Sequence, residues 1–261
     1  MSAKADFSDL KTRIISAVVM LLIAGFALWS GGAIFQYLLI IIAGLMAWEI
    51  SHMHDPRNWL SVITGVFVSG FVYISFFPIG LSPTALTMLK SLPWLALAGL
   101  HIEKARFSVF AGLLIFMAAT TDLGAFRIEQ GFSLTIWLLL CIIASDVGGY
   151  FAGKIFGGPK LWVRISPKKS WSGTIGGWVL AAVIGLCFVL FDAQPWVLIP
   201  ASILVSIAAQ AGDLVESAVK RRAGVKDSSN LIPGHGGLLD RFDGVLGVCF
   251  LLGFAGLVGI Y

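Results

Sequence analysis

SAVKRRAGVKDSSNLIPGHGGLLDRFD, residues 217–243, tells most about what kind of chain this is. Eight of its 27 positions are charged (Lys220, Arg221, Arg222, Lys226, Asp227, Asp240, Arg241 and Asp243), in a chain that is 12% charged overall. An apolar run reaches it from each side, 196–215 before it and 244–261 after it. Charge concentrated between two such runs places polar chemistry at a membrane surface. Interleaved cations and carboxylates suit a metal-bound polyphosphate, because Lys and Arg hold phosphate oxygens while Asp holds Mg²⁺.

Outward from this stretch the chain is hydrophobic, at 58% of residues and a mean hydropathy of +0.92. Soluble domains carry about 45–50% apolar residues, so a soluble globular protein is excluded. About 20 mostly apolar residues cross a bilayer core as a helix. Nine segments qualify, at 14–30, 33–50, 59–78, 83–100, 107–125, 133–153, 173–191, 196–215 and 244–261. The fourth is interrupted by Lys90 and Pro93, and Asp122 lies near the end of the fifth. The expected fold is therefore all-α and polytopic, with about nine transmembrane helices in one domain over 1–261. Residues 1–132 hold N-terminal helices without a recognisable motif, and 133–261 hold the catalytic part. The first apolar run leads into a second without a small-residue cleavage site, so a removed signal peptide is not expected.

Lysine and arginine set the orientation. Lys4, Lys11 and Arg13 precede the first span, which predicts a cytoplasmic N-terminus. Alternation through nine spans then puts Arg57, Lys104 and Arg106, the 154–172 loop and the 216–243 loop inside, and the C-terminus outside. Ten of the 18 basic residues fall in the two long inside segments. The pI of about 9.1 is what positive-inside loops produce, and no nucleic-acid partner is expected. Cys141, Cys187 and Cys249 sit in apolar spans without ligand spacing and read as packing residues. His52 and His54, beside Asp55, read as a solvated interfacial loop.

Charge inside a span is costly and marks function when it faces the bundle interior or a watery cavity. Asp146 follows an apolar run and precedes VGGYFAGKIFGG, whose small residues permit close approach of another helix or a ligand. Asp213 closes the eighth span, with Glu216 and Ser217 three and four residues on and thus on its helical face. Glu49 and Glu216 read equally as functional acids or as helix-end acids beside the headgroups. In GGPKLWVRISPKKSWSGTIGGW, Pro167 disfavours helix at Ser166, so Ser166, Lys168, Lys169 and Ser170 form a shaped turn. That turn reads as a phosphate contact, against the plainer role of an anchor to anionic headgroups.

Around His235, Pro233, Gly234, Gly236 and Gly237 permit tight turns whose N–H groups can line an anion site. His235 itself can donate to a phosphate or move a proton. Asp240 and Asp243 are three apart and share a helix face; with Asp213 they make a candidate divalent-metal site. The alternative is that these acids only neutralise the basic run.

These motifs resemble the phosphatidate cytidylyltransferase (CDP-diacylglycerol synthase) family. The run 217–243 is similar to its long signature, joining S-x-x-K-R, K-D, H-G-G and D-R-x-D at fixed spacing. Asp146, Tyr150, Gly153, Phe156 and Gly157 resemble its D-x-x-A-Y-x-x-G…F-G element, and ISPKKSW resembles its S-P-K-K-T-W element. Gly149 replaces the usual alanine and Ser170 the usual threonine. Ser172 stands where many members carry glutamate, so a metal or base role is not carried over there. The match covers roughly 146–243.

The resemblance implies that CTP and phosphatidic acid give CDP-diacylglycerol and pyrophosphate. It implies catalytic roles for Asp213, Asp240, Asp243, Lys220 and Arg241. Substrate contacts are implied for Ser166, Lys168, Lys169, Ser170, Ser217, Arg221, Lys226, His235, Gly236 and Gly237. Mg²⁺ is the implied cofactor, on Asp213, Asp240 and Asp243, with Asp146 supporting the site by orienting a lysine or a second ion. Phosphatidate is already anionic at neutral pH, so His235 is expected as a donor rather than a base. The alternatives are a CTP-dependent lipid kinase of the same superfamily and a transporter. The lipid bilayer is an expected partner, a homodimer through the membrane helices is a further expectation, and a bacterial inner membrane with a cytoplasmic site is the expected location.

Overall fold

The computed structural model describes residues 7–54, 59–77 and 107–258. Among them are eight helices: α1 (Phe7–Ser30), α2 (Gly32–His54), α3 (Leu60–Phe76), α4 (Phe107–Glu129), α5 (Gly131–Phe156), α6 (Trp171–Phe191), α7 (Leu198–Arg222) and α8 (Leu239–Leu257). A two-stranded hairpin, β1 (Lys160–Trp162) and β2 (Ser166–Ser170), joins α5 to α6. Six helices contain stretches long and apolar enough to cross a membrane: Lys11–Ser30, Gly32–His54, Ala111–Glu129, Gly131–Phe156, Trp171–Phe191 and Leu198–Arg222. The expected fourth span, together with Arg57, Lys104 and Arg106, lies outside the described residues.

Large apolar side chains point outward on these helices, among them Leu21, Leu22 and Trp29 on α1 and Val179 and Leu190 on α6. In water such surface drives association; in a bilayer it is the side that meets lipid. The chain is accordingly an integral membrane protein of several spans, its described elements all helices apart from the hairpin.

The chain divides into two compact units, one of 1–121 with 225–241 and the other of 122–224 with 242–261. In the first, α2 packs on α1 and α3 and buries Leu39, Ala43, Met46, Ala47 and Ile50. The α2–α3 crossing is close because a Cβ on Gly65 would stand 2.8 Å from Gly44 O. His52 and His54 belong to the last turn of α2, not to a loop. His54 Nδ1 donates to Ile50 O at 2.9 Å and His52 stacks on Trp48 with centroids 4.9 Å apart, which keeps the helix wound to its end.

In the second unit α5, α6 and α7 pack on one another. The α5–α6 seam is glycine against glycine: a Cβ on Gly148 would lie 2.6 Å from Gly176 O, and one on Gly173 2.6 Å from Gly149 O. Polar side chains inside this bundle satisfy each other, as low-dielectric surroundings demand. Ser206 Oγ donates to Ser145 Oγ at 2.7 Å, and Gln210 Nε2 donates to Ser145 Oγ at 3.2 Å. Trp178 Nε1 donates to Gln210 Oε1 at 3.1 Å, and Trp137 Nε1 to Ser202 Oγ at 2.9 Å.

The shaped turn expected at 166–170 is an antiparallel hairpin in which Lys160 faces Ser170 and Trp162 faces Ser166. Pro167, barred from helix and lacking an N–H, fits an edge strand of this kind. Ser170 then starts α6 as its N-cap, accepting from Gly173 N at 3.3 Å.

Candidate functional site

In the second unit the C-terminal half of α7 and the start of α8 bring acids together. Ligand oxygens of Asp213, Glu216 and Asp243 all lie within 4.8 Å of one another. Glycines make this approach possible. A Cβ on Gly212 would run into Asp243 O and stand 2.8 Å from Gly247 N, and one on Gly247 would run into Ala208 O. With no Cβ in the way, the two backbones touch and their acids converge. Asp213 and Glu216 share a face by their spacing of three on α7.

Lysines meet two of these acids. Lys169 Nζ, from β2, pairs with Asp213 Oδ2 at 2.5 Å, and Ser217 Oγ donates to Asp213 Oδ1 at 3.2 Å. Lys220 Nζ pairs with the buried Glu216 Oε2 at 2.6 Å, one helical turn on. Asp243 precedes the apolar part of α8. Burial first, and then the Asp213 carboxylate, push its carboxyl up to about 7, with Asp146 adding to the rise and Lys220 opposing it. Three carboxylates so close, two of them already paired, form a hard-oxygen donor set that fits a divalent cation such as Mg²⁺.

Ser172 has a structural use. Its hydroxyl donates to Gly157 O and sits 3.0 Å from Ser170 Oγ, fastening the start of α6 to the end of α5. Lys168 is exposed at the hairpin edge, and Asp146 is exposed on α5.

In the first unit the segment 225–241 forms a folded loop. Asp240 Oδ2 accepts from Ser228 N at 2.9 Å, Ser228 Oγ at 3.0 Å and Gly237 N at 2.8 Å. Arg241 donates to His235 O through Nη2 at 2.7 Å and Nε at 3.2 Å. His235 Nδ1 lies 2.8 Å from Ser16 Oγ on α1. Ile232 N donates to Gly236 O at 2.8 Å, closing a turn that Gly234 and Gly236 permit with φ of +75° and +83°. Arg221, Lys226 and Arg241 are exposed. Glu49 on α2 is fully buried and accepts from this loop: Ser229 Oγ at 2.6 Å, Leu239 N at 2.7 Å, Leu238 N at 2.8 Å and Ser228 Oγ at 3.3 Å.

Of the four acids expected as metal ligands, Asp213 and Asp243 come together and Glu216 joins them. Asp146 is not one of that trio, and Asp240 has its Oδ2 taken up by loop donors. For Glu216 and Glu49 the sequence left a functional acid and a helix-end acid beside the headgroups as equal readings; in the structure both are buried, at 5% and 0% exposure. For Glu216 the signal was its spacing of three from Asp213. For Glu49 it was a carboxylate standing in the apolar run LMAWEIS.

The second unit thus gathers carboxylates and lysines from two helices and the hairpin. The chain belongs to the cytidylyltransferase family, whose sequence profile matches residues 11–256. It is similar to the phosphatidate cytidylyltransferase of Brucella suis biovar 1 (strain 1330), 35% identical over 267 residues that cover 96% of this chain and 94% of that protein. It is also similar to those of Staphylococcus haemolyticus (strain JCSC1435), at 34% identity, and Staphylococcus aureus (strain COL), at 33%. Each of these two alignments covers 93% of this chain and 97% of the relative.

Proposed function

We propose that this chain transfers the cytidylyl group of CTP to phosphatidic acid, giving CDP-diacylglycerol and pyrophosphate for phospholipid synthesis. The observation that carries the reading is the convergence of Asp213, Glu216 and Asp243, with Lys169 and Lys220 paired to the first two. Cations and carboxylates at those distances suit a nucleotide triphosphate with its metal. A phosphate oxygen of the lipid attacks the α-phosphorus of CTP. The new O–Pα bond forms as the bond from Pα to the oxygen bridging to Pβ breaks, and that electron pair leaves on pyrophosphate. Such a step needs positioning and charge neutralisation more than a strong base.

Asp213, Glu216 and Asp243 would hold Mg²⁺, which supplies neutralising charge to the nucleotide phosphates. Asp146, whose charge acts on Asp243, would orient a lysine or a second ion. Lys168, Lys169, Lys220, Arg221, Lys226 and Arg241 divide between CTP and the lipid phosphate. Ser166 and Gly236 would offer a hydroxyl and a backbone donor to phosphate, while Ser170, Ser217 and Gly237 act by holding the start of α6, Asp213 and Asp240. His235, whose Nδ1 lies 2.8 Å from Ser16 Oγ, would act as a hydrogen-bonding group rather than a base. Asp240 acts through the loop that its Oδ2 organises. In the membrane the reading adds a ninth span within 83–100, an N-terminus in the cytoplasm, a C-terminus outside and a cytoplasmic site in a bacterial inner membrane. A homodimer through the membrane helices completes it.

The test is purified protein in liposomes with phosphatidic acid, Mg²⁺ and CTP labelled separately at the α- and γ-phosphates. Label from the α-position entering lipid, with release of pyrophosphate, is expected. Label passing from the γ-position to a lipid alcohol would replace this function with that of a kinase.

A further inference from the structure

Glu49 sits near the end of α2, 0% exposed, in surroundings where an isolated carboxylate is very costly. It persists because donors converge on it: the Ser229 hydroxyl, the backbone N–H groups of Leu238 and Leu239, and a share of the single Ser228 O–H, which lies 3.3 Å from Glu49 Oε2 and 3.0 Å from Asp240 Oδ2. Leu238 and Leu239 open α8, whose first turn leaves its N–H groups without intrahelical acceptors and carries partial positive charge. Glu49 therefore caps α8 from another helix and pins both ends of the segment 228–239 with one side chain. The fit admits nothing larger at the crossing point: a Cβ on Gly237 would stand 2.5 Å from Glu49 Oε1.

Ser229, Leu238 and Leu239 can only donate to it, Ser228 divides its one O–H between Glu49 and Asp240, and an ionised carboxylate only accepts. A glutamine of the same shape would turn an NH₂ toward at least one N–H or O–H. What the site demands is acceptor capacity and charge, not volume. The clamped segment contains His235, and the turn it leads into bears Asp240 and Arg241, the signature residues with assigned work. Asp240 Oδ2 reinforces the clamp by accepting from Ser228 and Gly237.

We infer that Glu49 is a positioning residue for cytidylyl transfer, acting through the 228–241 segment rather than touching substrate. This rests on the function proposed above. The loop's donors to phosphate keep their aim only while the carboxylate holds Ser228, Ser229 and the start of α8.

The experiment compares wild type with Glu49→Gln, Glu49→Asp and Ser229→Ala, in liposomes, by hydrogen exchange over 225–241 and by steady-state turnover of α-labelled CTP. Glu49→Gln is expected to exchange at least tenfold faster over that segment and to lose at least tenfold in kcat, with its melting temperature nearly unchanged. Glu49→Asp, which keeps the charge but shortens the reach, is expected to recover part of both. A packing role would rank the variants the other way, with Gln the better substitute, and that ranking overturns the inference. So does Glu49→Gln with wild-type exchange and turnover. If Glu49→Gln fails to fold, Ser229→Ala decides: faster exchange with a several-fold lower kcat upholds the clamp, and no change in either overturns it. If wild type makes no cytidylylated lipid, the proposed function is what has failed. Exchange alone then judges the clamp, upheld by faster exchange in Glu49→Gln and overturned by none.

Discussion

Lys169 Nζ stands 2.5 Å from Asp213 Oδ2, tying the second lysine of β2 to the helix that runs into the basic stretch. The pair sets the aim of both groups, so each loses its place when the other is removed. Lys169→Met and Asp213→Asn should each lower kcat/KM about 100-fold or more, in line with the loss of one charged group from a reacting centre. The double variant should fall far short of the product of the two losses, because the residues act as a unit. Lys168→Met, at the exposed neighbour, should cost several-fold at most. The measurement is α-label transfer at varied CTP; full additivity of the double variant would count against the pair acting together.

Asp243 links the site to pH. Burial, and then the Asp213 charge, lift its carboxyl from 3.8 to about 7 in the folded protein. The folded state therefore binds more protons than the unfolded chain between those two values. Stability must fall as pH rises through that window. In chelator, the melting temperature should decline between about pH 4 and about pH 7. Mg²⁺ should restore it at the upper end, and Asp243→Asn should flatten the slope. A flat wild-type profile in chelator would contradict the assignment.

The α7–α8 seam can be tested with single methyl groups. Gly212→Ala and Gly247→Ala each place a Cβ against backbone, and overpacking of this kind typically costs about 1–3 kcal/mol. Because the seam sets the spacing of Asp213 and Asp243, turnover at low Mg²⁺ should drop as well. Gly25→Ala, on α1 with nothing within 4 Å of the added atom, should be neutral or stabilising. Thermal melts of the three variants side by side check the claim.

Ser172 ties the start of α6 to the end of α5 through Gly157 O and Ser170. Ser172→Ala should cost about 1 kcal/mol for the lost hydrogen bonds and lower turnover several-fold, through a hairpin less firmly held. An unchanged melting temperature would show that the hydroxyl carries no such tie.

Much of this was legible in the sequence because membrane spans announce themselves by length. The run 133–153 became Gly131–Phe156, 173–191 became Trp171–Phe191 and 33–50 became Gly32–His54. The helices extend past the apolar runs because a helix continues into the polar interface, which hydropathy does not mark. The glycines after Asp146 were read as permitting close approach, and α5 uses them against α6. Glu49 and Glu216 were illegible as site residues, since an acid near a helix end looks the same whether it meets headgroups or a neighbour's N–H groups. Only the fold says which side chains lie opposite. For the same reason Asp240, grouped with Asp243 by spacing, could not be seen to spend its Oδ2 on Ser228 and Gly237.

The polar contacts of α7 bear on how the chain is made. This helix carries Ser202, Ser206, Gln210 and Asp213, and its hydropathy of 1.7 is below the 2.3 of α6. Lipid alone serves such a segment poorly, because its side-chain amide and hydroxyls need partners there. Those partners are Ser145, Thr174 and Trp178 on α5 and α6, and both helices precede α7 along the chain. Biosynthesis thus delivers the receiving helices to the bilayer before the helix that depends on them. A ribosome emitting α7 ahead of both would release it into lipid without these partners.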